Sequence, residues 1–383
     1  MAKCRSAYWE ALRRFGRMTA CLCLAGTTAG APSAASAGGA ASAAPSSFAV
    51  PSPAVAVPRI GGRLTSKDLG LVINTADPYS VAVGEFYARA RKLAPAQVLR
   101  VELPVRASLT PEEFEALKTA IDTHFGPRTQ ALALAWTMPF AVSCNSITGA
   151  LALGYDAGPC IDANRGCAPT RASPYFNART ARPFTDLKLR PAMLLAAKDV
   201  AAAQALIERG VKADRSLGLR GAPPAHAHFI VTSDRARSAR ALLYPPPGLL
   251  RGAGIMVHVQ KTQALENEER VLVYQTGATQ VDKIDTVNWL PGALADHLTS
   301  FGGRLDAKGD QMSAIEWINA GATASYGTVS EPCAHQQKFP HPQVLLLNYA
   351  QGSTAIEAYW KSVAWPLQGV FIGEPLAAPF ARR

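Results

Sequence analysis

Short apolar runs alternate with longer amphipathic stretches from residue 69 to the end of the chain. The runs typical of buried strands are LGLVIN (69–74), VLRVEL (98–103), ALALAW (131–136), AMLLAA (192–197), HFIVTS (228–233), VLVYQT (271–276), GATASYG (321–327) and GVFIG (369–373). The stretches between them predict helices, because apolar residues recur there every three or four positions. Strands that alternate with helices predict an α/β fold with a mainly parallel sheet and helices on both faces.

Two of the predicted helices carry clear start signals. Asp77 and Pro78 supply an N-cap and a first-turn proline for a helix that runs to Lys92. Thr110 and Glu113 have the spacing of a capping box for the next helix. Further helices are predicted through 205–209, from Asp234, over 292–301, around 315–317 and over 355–360.

The regular alternation lapses over residues 139–190, which are rich in Gly, Pro and Asn. Loops of this length are uncommon unless they have a function or internal structure. We therefore predict a long loop insertion here. The α/β domain is expected at 61–383, either as one unit or as two α/β halves over about 65–245 and 250–383.

The first sixty residues differ from the rest. Five basic residues precede a short apolar stretch, MTACLCLAG, and small residues follow that end in Ala-Ser-Ala at 35–37. This layout predicts a signal peptide at 1–37 and an exported protein, periplasmic or extracellular. Residues 38–60 are mostly Ala, Ser, Pro and Gly, which predicts a disordered linker. No later run approaches the ~20 apolar residues of a membrane span, so none is expected in the mature protein.

The formal charge of +11 falls to about +7 once residues 1–37, with five basic residues and one acidic residue, are removed. The basic residues that remain are scattered, with a modest cluster at Arg235, Arg237, Arg240 and Arg251. No basic stripe with interleaved aromatic residues is present, which argues against nucleic acid as a partner. An envelope protein or an anionic polysaccharide stays open as the partner.

Four of the seven cysteines lie after the predicted signal peptide: Cys144, Cys160, Cys167 and Cys333. An even number of cysteines in an exported protein predicts disulfides. Cys160 and Cys167 bracket a short polar loop and are the pair expected to form a bridge. Cys144 and Cys333 are left to pair with each other or to stay free.

Open parallel sheets bind ligands in a crevice at the carboxyl ends of their strands. We therefore expect the binding residues directly after the predicted strands. These candidates are Asn74, Asp77, Ser143, Cys144, Ser233, Asp234, Thr276, Gly277, Ser330, Glu331 and Cys333.

The segment GALADHLTSFGG (292–303) concentrates polar groups within a predicted helix. On a helix, Asp296 and His297 each lie within one turn of Ser300. His297 is then a candidate base toward Ser300 or toward a group from another strand end. In the alternative interpretation Leu294, Leu298 and Phe301 pack inward, and Asp296 only stabilises the helix dipole.

A second polar segment surrounds Cys333 in GATASYGTVSEPCAHQQKFPHP (321–342). Cys333 with a nearby histidine, His335 or His297, has the makings of an activated thiolate. Glu331, Cys333, His335 and His341 also offer metal ligands, but their spacing matches no strong zinc pattern, and we expect neither a metal nor another cofactor. Motifs of serine hydrolases, phosphate-binding loops, zinc peptidases and dinucleotide-binding folds do not occur in the sequence.

Several blocks after the linker resemble an uncharacterised family of exported bacterial proteins found in species that carry the exosortase protein-sorting system. The blocks include SITGALALGYDAGPC, VTSDRARSAR, WLPGALADHLTSFGG and EAYWKSVAWPLQGVFIGEPLAAPF. This resemblance covers nearly all of the chain after the linker, and it implies a role in envelope or extracellular-matrix biology.

A more distant resemblance is to the gingipain and caspase-like α/β peptidases. A TG turn, a polar helix, a GATA-like strand and a terminal GEPLAAP segment follow one another in a similar order. The resemblance implies a caspase-hemoglobinase-like three-layer sandwich. In those peptidases one strand ends in His-Gly and the next in the nucleophilic Cys. The corresponding stretches in this chain, Thr276-Gly277 and residues 288–292, carry neither residue.

Three functions follow from these observations. The first is an exported caspase-like scaffold, noncatalytic or of unknown catalysis, that works in the envelope or extracellular matrix and is linked to protein sorting. The second is a thiol hydrolase or peptidase with Cys333 as nucleophile and His297 as base, and Asp296 is a further candidate for the catalytic group. The third is a module that binds anionic glycans.

Overall fold

The apolar runs and amphipathic stretches become the strands and helices of an α/β fold in the computed structural model. The structure describes residues 57–58, 62–161, 167–306 and 309–382, which all belong to one compact unit. The predicted signal peptide at 1–37 lies outside the described residues, and so does the predicted linker at 38–60 except for residues 57 and 58. Within the described ranges, no helix combines the length and the apolar composition needed to span a membrane.

Short strands and helices follow one another along the described part of the chain. In chain order, the strands are β1 (Leu69–Asn74), β2 (Val98–Val101), β3 (Ser108–Leu109), β4 (Ala131–Leu134), β5 (Ala141–Val142), β6 (Asn145–Ser146), β7 (Ala192–Leu194), β8 (Ala225–Val231), β9 (Gly248–Leu250), β10 (Ile255–Lys261), β11 (Val271–Gly277), β12 (Trp289–Leu298), β13 (Ala324–Thr328) and β14 (Gly369–Gly373). The helices are α1 (Pro78–Ala90), α2 (Pro111–His124), α3 (Ile147–Leu153), α4 (Pro183–Leu187), α5 (Val200–Ala213), α6 (Ala314–Ala320), α7 (Pro342–Gln351) and α8 (Ala355–Ser362). The segment Arg237–Leu243, within the helix predicted from Asp234, is a 3₁₀ helix.

One large sheet of eleven strands organises the described residues, in the order β2-β1-β4-β7-β14-β13-β12-β11-β8-β10-β9. β14 pairs parallel with β7 but antiparallel with β13. The sheet therefore consists of two parallel blocks that run in opposite directions. The first block is β2, β1, β4, β7 and β14, and the second block is β13, β12, β11, β8 and β10, with β9 antiparallel at its edge. The carboxyl ends of the strands in one block therefore lie next to the amino ends of the strands in the other block.

Burial follows the position of each strand in this sheet. Every residue of β1, β4, β11 and β14 is buried, whereas β2 at one edge is half-buried and β9 at the other edge is largely exposed. Parallel strands covered on both faces read as continuous apolar runs, which is why these runs predict strands well. The predicted α/β class and mainly parallel sheet are confirmed.

The sheet takes strands from both stretches that were considered as separate halves. β8, from the earlier stretch, lies between β10 and β11 of the later one. β14, the last strand in the described chain, joins the first block to the second. The order of the strands in the sheet therefore does not follow their order along the chain.

The predicted helix over 292–301 is wrong, because this segment is strand β12. Positions Leu294–Leu298 of β12 pair with β11, Leu294 also pairs with Ala324 of β13, and the residues from Gly292 to Leu298 are buried. A strand buried on both faces has no alternation of apolar and polar positions. The spacing of Leu294 and Leu298, which fits a helix face, therefore did not distinguish helix from strand.

Local signals elsewhere predicted the elements correctly. Asp77 caps α1 by accepting a hydrogen bond from the Tyr79 backbone N–H, and Pro78 is its first residue. Thr110 and Glu113 form the capping box of α2. The predicted insertion over 139–190 contains short elements of its own, including β5, β6, α3 and α4.

Candidate functional site

The residues predicted to form one crevice separate into different parts of the sheet. Asn74 ends β1 and Asp77 follows it in the first block, whereas Gly277 ends β11 and Asp234 follows β8 in the second block. Ser143 and Cys144 connect β5 and β6 of a small separate sheet. The prediction of a single crevice at the carboxyl ends is therefore wrong, because the antiparallel pairing of β13 and β14 reverses the direction of half the sheet.

Asn74 forms hydrogen bonds that stabilise its own strand end. Its Oδ1 accepts from the backbone N–H groups of Ala76 and Leu103, and its Nδ2 donates to the Leu103 carbonyl. The side chain is fully buried, and these contacts connect the ends of β1 and β2. Asp77 caps α1, so both residues have structural roles.

The polar residues at the second block's strand ends hold the 3₁₀ helix Arg237–Leu243 in place. Asp234 accepts from the backbone N–H of Arg237 and pairs with its guanidinium at 2.8 Å. The Gly277 carbonyl accepts from Thr232 Oγ1, and the Thr276 carbonyl accepts from Arg240 Nη2. A side chain at Gly277 would collide with the Arg237 carbonyl, so glycine is required for this close approach.

Asp296 takes part in a buried ion pair rather than in an open site. Its Oδ1 lies 2.6 Å from Arg240 Nη1, and both side chains are 1% exposed. Gln275 Nε2 donates to Oδ2 at 2.8 Å, and the Tyr359 hydroxyl lies 3.4 Å from the same oxygen. Arg240 Nη1 also donates to the Pro340 carbonyl. Asp296 therefore connects β12, β11, α8 and the 3₁₀ helix.

His297 uses both ring nitrogens in buried hydrogen bonds. Trp317 Nε1–H donates to His297 Nδ1 at 2.9 Å, and His297 Nε2 lies 3.1 Å from the Met312 carbonyl. Because the indole only donates and the carbonyl only accepts, Nδ1 is the acceptor and Nε2 carries the proton. Burial lowers the pKa of His297 to about 3, and the nearby positive charge of Arg240 acts in the same direction. A neutral imidazole without a free lone pair is not available as a base.

The remaining candidates also have local partners. The Ser300 carbonyl accepts from Thr328 Oγ1, and Glu331 Oε1 accepts from the Cys333 backbone N–H at 2.7 Å. The His335 ring packs against Trp365, with ring centroids 5.8 Å apart. Because His297 is fully engaged, it does not activate Ser300 as a nucleophile.

All four cysteines of the described chain are paired, but not as predicted. The disulfides are Cys144–Cys160 and Cys167–Cys333, so the predicted Cys160–Cys167 bridge is wrong. Asn145 explains the first pairing: its Nδ2 donates to the Asp156 carbonyl, and its Oδ1 accepts from the Asp156 N–H. These bonds bring the loop before Cys160 against Cys144. A disulfide-bonded Cys333 is neither a nucleophile nor a metal ligand.

Three histidines that were not singled out from the sequence come together on β8 and β10. His226 and His228 are two positions apart on β8 and so share a face, and His258 on β10 is the register partner of His228. One nitrogen from each ring lies within 4.8 Å of the others, which is close enough to hold a metal ion. The signal was the alternation His-Ala-His, but it becomes informative only with the register of β10 against β8.

The environment of these rings favours their neutral form. Burial lowers the pKa of His226, and the neighbouring His258 lowers it further. Burial also lowers the pKa of His228. Glu268 opposes both shifts, and Arg270 adds to the shift at His226.

No protein-family model matches the sequence, and no curated protein is significantly similar to it.

We expect Asp296→Ala to lower the free energy of unfolding by roughly 3–5 kcal/mol, because it leaves the buried Arg240 guanidinium without its counter-charge. The matched control is Glu85→Ala, which removes an exposed pair with Arg100 and should cost less than about 1 kcal/mol. Urea denaturation measures both. Equal losses in the two variants would show that the Arg240–Asp296 pair is not buried as described.

Stability should depend on pH through His297. Between its ordinary pKa of 6.5 and its folded-state value of about 3, the unfolded chain binds a proton that the folded chain does not. The free energy of unfolding therefore decreases by roughly 1 kcal/mol for each pH unit as the pH is lowered through that window. The His297→Gln side chain can keep both hydrogen bonds but does not titrate. In denaturation measured across the window, this variant should lose the part of the pH dependence of the unfolding free energy that His297 causes. Identical slopes in both proteins would mean that His297 titrates normally.

Proposed function

We propose that this protein is an exported, caspase-like α/β scaffold that acts by binding and not by thiol catalysis, in the envelope or extracellular matrix and linked to protein sorting. The observation that carries the proposal is that Cys333 is in a disulfide while both ring nitrogens of His297 are hydrogen-bonded. The residues predicted to form a catalytic group are thus committed to structure.

The second block supports the caspase-like part of the proposal. The resemblance implies adjacent strands that end in His-Gly and in the nucleophilic Cys. β11 ends in Thr276 and Gly277, and its neighbour β12 ends at Leu298, followed by Thr299. Residues 288–292, first matched to the cysteine position, lie around the start of β12 instead. β11 therefore lacks the His-Gly end, and neither the end of β12 nor residues 288–292 carry the nucleophilic Cys of the peptidases.

Export is supported by the two disulfides. Disulfides persist in oxidising compartments and are rare in the cytosol. Together with the signal-peptide pattern at 1–37, they favour a periplasmic or extracellular location.

The basic cluster of Arg235, Arg237, Arg240 and Arg251 is a poor binding site for an anionic glycan, because two of its four side chains are already in ion pairs. Arg240 is buried against Asp296, and Arg237 pairs with Asp234. Of the four cluster residues, only Arg235 and Arg251 are left without one of these ion pairs. We therefore propose an envelope protein as the partner.

Peptide mapping under nonreducing conditions, on protein purified from an oxidising compartment, tests the noncatalytic assignment. We expect cross-linked peptides for Cys144–Cys160 and Cys167–Cys333, little alkylation of Cys333, and no cleavage of a peptide library. The double variant Cys167→Ser/Cys333→Ser should cleave no peptide either, and Cys144→Ser/Cys160→Ser is its matched control.

A free Cys333 that is alkylated well below the ordinary thiol pKa of about 8.5 would contradict the proposal, provided that library cleavage is present and is lost in Cys333→Ser. Export is tested separately by fusing residues 1–60 to a reporter that is active only outside the cytosol, with residues 38–60 as control. Reporter activity from both fusions, or from neither, would contradict the assignment of the signal peptide.

A further inference from the structure

The sheet presents three imidazoles side by side near its β9 edge. His226 and His228 point to the same face of β8, and His258 lies beside His228 on the adjacent β10. The His228 and His258 rings stack with centroids 4.6 Å apart, and those of His226 and His258 are 5.1 Å apart. His226 Nδ1 and His258 Nε2 are 2.9 Å apart and share a hydrogen bond, whose proton a bound metal ion would displace.

His228 carries a lone pair without a hydrogen-bond donor. Its Nδ1 lies 3.0 Å from Gln260 Oε1, which only accepts, so Nδ1 carries the proton and Nε2 does not. His228 is 1% exposed, and its Nε2 is buried with no hydrogen-bond partner among the described residues. An unsatisfied buried acceptor is unfavourable, and coordination of a cation would satisfy it.

Gln260 has the role of a residue that orients a metal ligand. Ligating histidines usually donate their other ring N–H to an oxygen, which fixes the tautomer and the ring orientation. The Gln260 contact does this for His228, and it leaves Nε2 unprotonated at 3.9 Å from Glu268 Oε2.

The loop between β10 and β11 adds one carboxylate to this group. Leu265 N–H donates to the Tyr274 hydroxyl, and Tyr274 is the register partner of His228 on β11, so the loop crosses this face. Glu268 Oε2 lies 3.9 Å from His228 Nε2 and is 38% exposed at the side chain. Arg270 is the nearby positive charge that disfavours a bound cation. Its guanidinium donates to the carbonyls of Pro223 and Pro224.

We propose that His226, His228 and His258 bind a divalent transition metal, with Glu268 as the fourth ligand. Imidazole nitrogens together with one carboxylate suit zinc, copper and nickel, whereas calcium and magnesium prefer sites made of oxygen ligands. Three histidines and one further ligand make a tetrahedral zinc site. The site lies on the opposite side of β11 from the Asp296 and His297 strand, and it does not depend on the proposed scaffold function.

The test uses the exported protein, purified without a polyhistidine tag and stripped with a chelator. Isothermal titration with Zn²⁺, with bound metal counted by mass spectrometry, should give about one ion per chain, and calcium should not compete. Substituting Co²⁺ provides a second readout, because a tetrahedral site of nitrogen and oxygen ligands has an intense visible absorption band.

Four variants make the test specific. His226→Asn and His258→Asn change half-buried rings and should each weaken Zn²⁺ binding by at least about tenfold. Gln260→Leu should weaken it roughly 10–100-fold by releasing His228, and Glu268→Gln should also weaken it. His124→Asn, at the exposed end of α2, is the matched control and should bind Zn²⁺ as the wild type does.

The proposal is overturned if the wild type binds no Zn²⁺, or if the His226→Asn and His258→Asn variants bind it with unchanged affinity. In that case the three rings form a hydrogen-bonded stack only. Unchanged affinity in Glu268→Gln alone would overturn the assignment of Glu268 as the fourth ligand. Circular dichroism of each metal-free variant confirms that a loss of binding is not a loss of folding.

Discussion

The buried pair of Arg240 and Asp296 is the interaction on which the second block depends. Asp296 stands in the middle of the sheet on β12, where a lone charge would be strongly unfavourable. Arg240 enters from the 3₁₀ helix Arg237–Leu243, and its guanidinium also donates to the carbonyls of Thr276 and Pro340. Gln275 and Tyr359 donate hydrogen bonds to the second carboxylate oxygen of Asp296. One carboxylate thereby determines how a helix, two strands and α8 fit together.

The same constraint explains why the polar residues near β12 do not make a catalytic site. A polar group placed inside a sheet that is covered on both faces has to find partners there, because water is absent. His297 finds Trp317 and Met312, and Asp296 finds Arg240. His226 and His258 are only half-buried, and they lie beside the buried His228. The histidines of β8 and β10 are near the edge of the sheet, where coordination of an outside ligand is feasible.

Local features of the sequence predicted much of the fold, and long-range ones did not. The N-cap at Asp77 and the buried run of β1 are encoded within a few residues, so they were predicted correctly. The position of β14 between β7 and β13 depends on pairing between distant segments. Its antiparallel pairing with β13 makes the second block run in the opposite direction to the first. The Cys144–Cys160 disulfide depends on how Asn145 holds the Asp156 loop. The histidine group depends on the register of β10 against β8, which no local pattern reveals.

The central claim is that the candidate catalytic residues hold the fold together instead of performing chemistry. The most direct test is nuclear magnetic resonance of isotope-labelled protein, which detects scalar coupling across a hydrogen bond between two nitrogens. We predict a resolved coupling between Trp317 Nε1 and His297 Nδ1 that persists as the pH is lowered below 6.5, the ordinary pKa of histidine. Absence of this coupling, with a His297 ring that titrates near pH 6.5, would contradict the account.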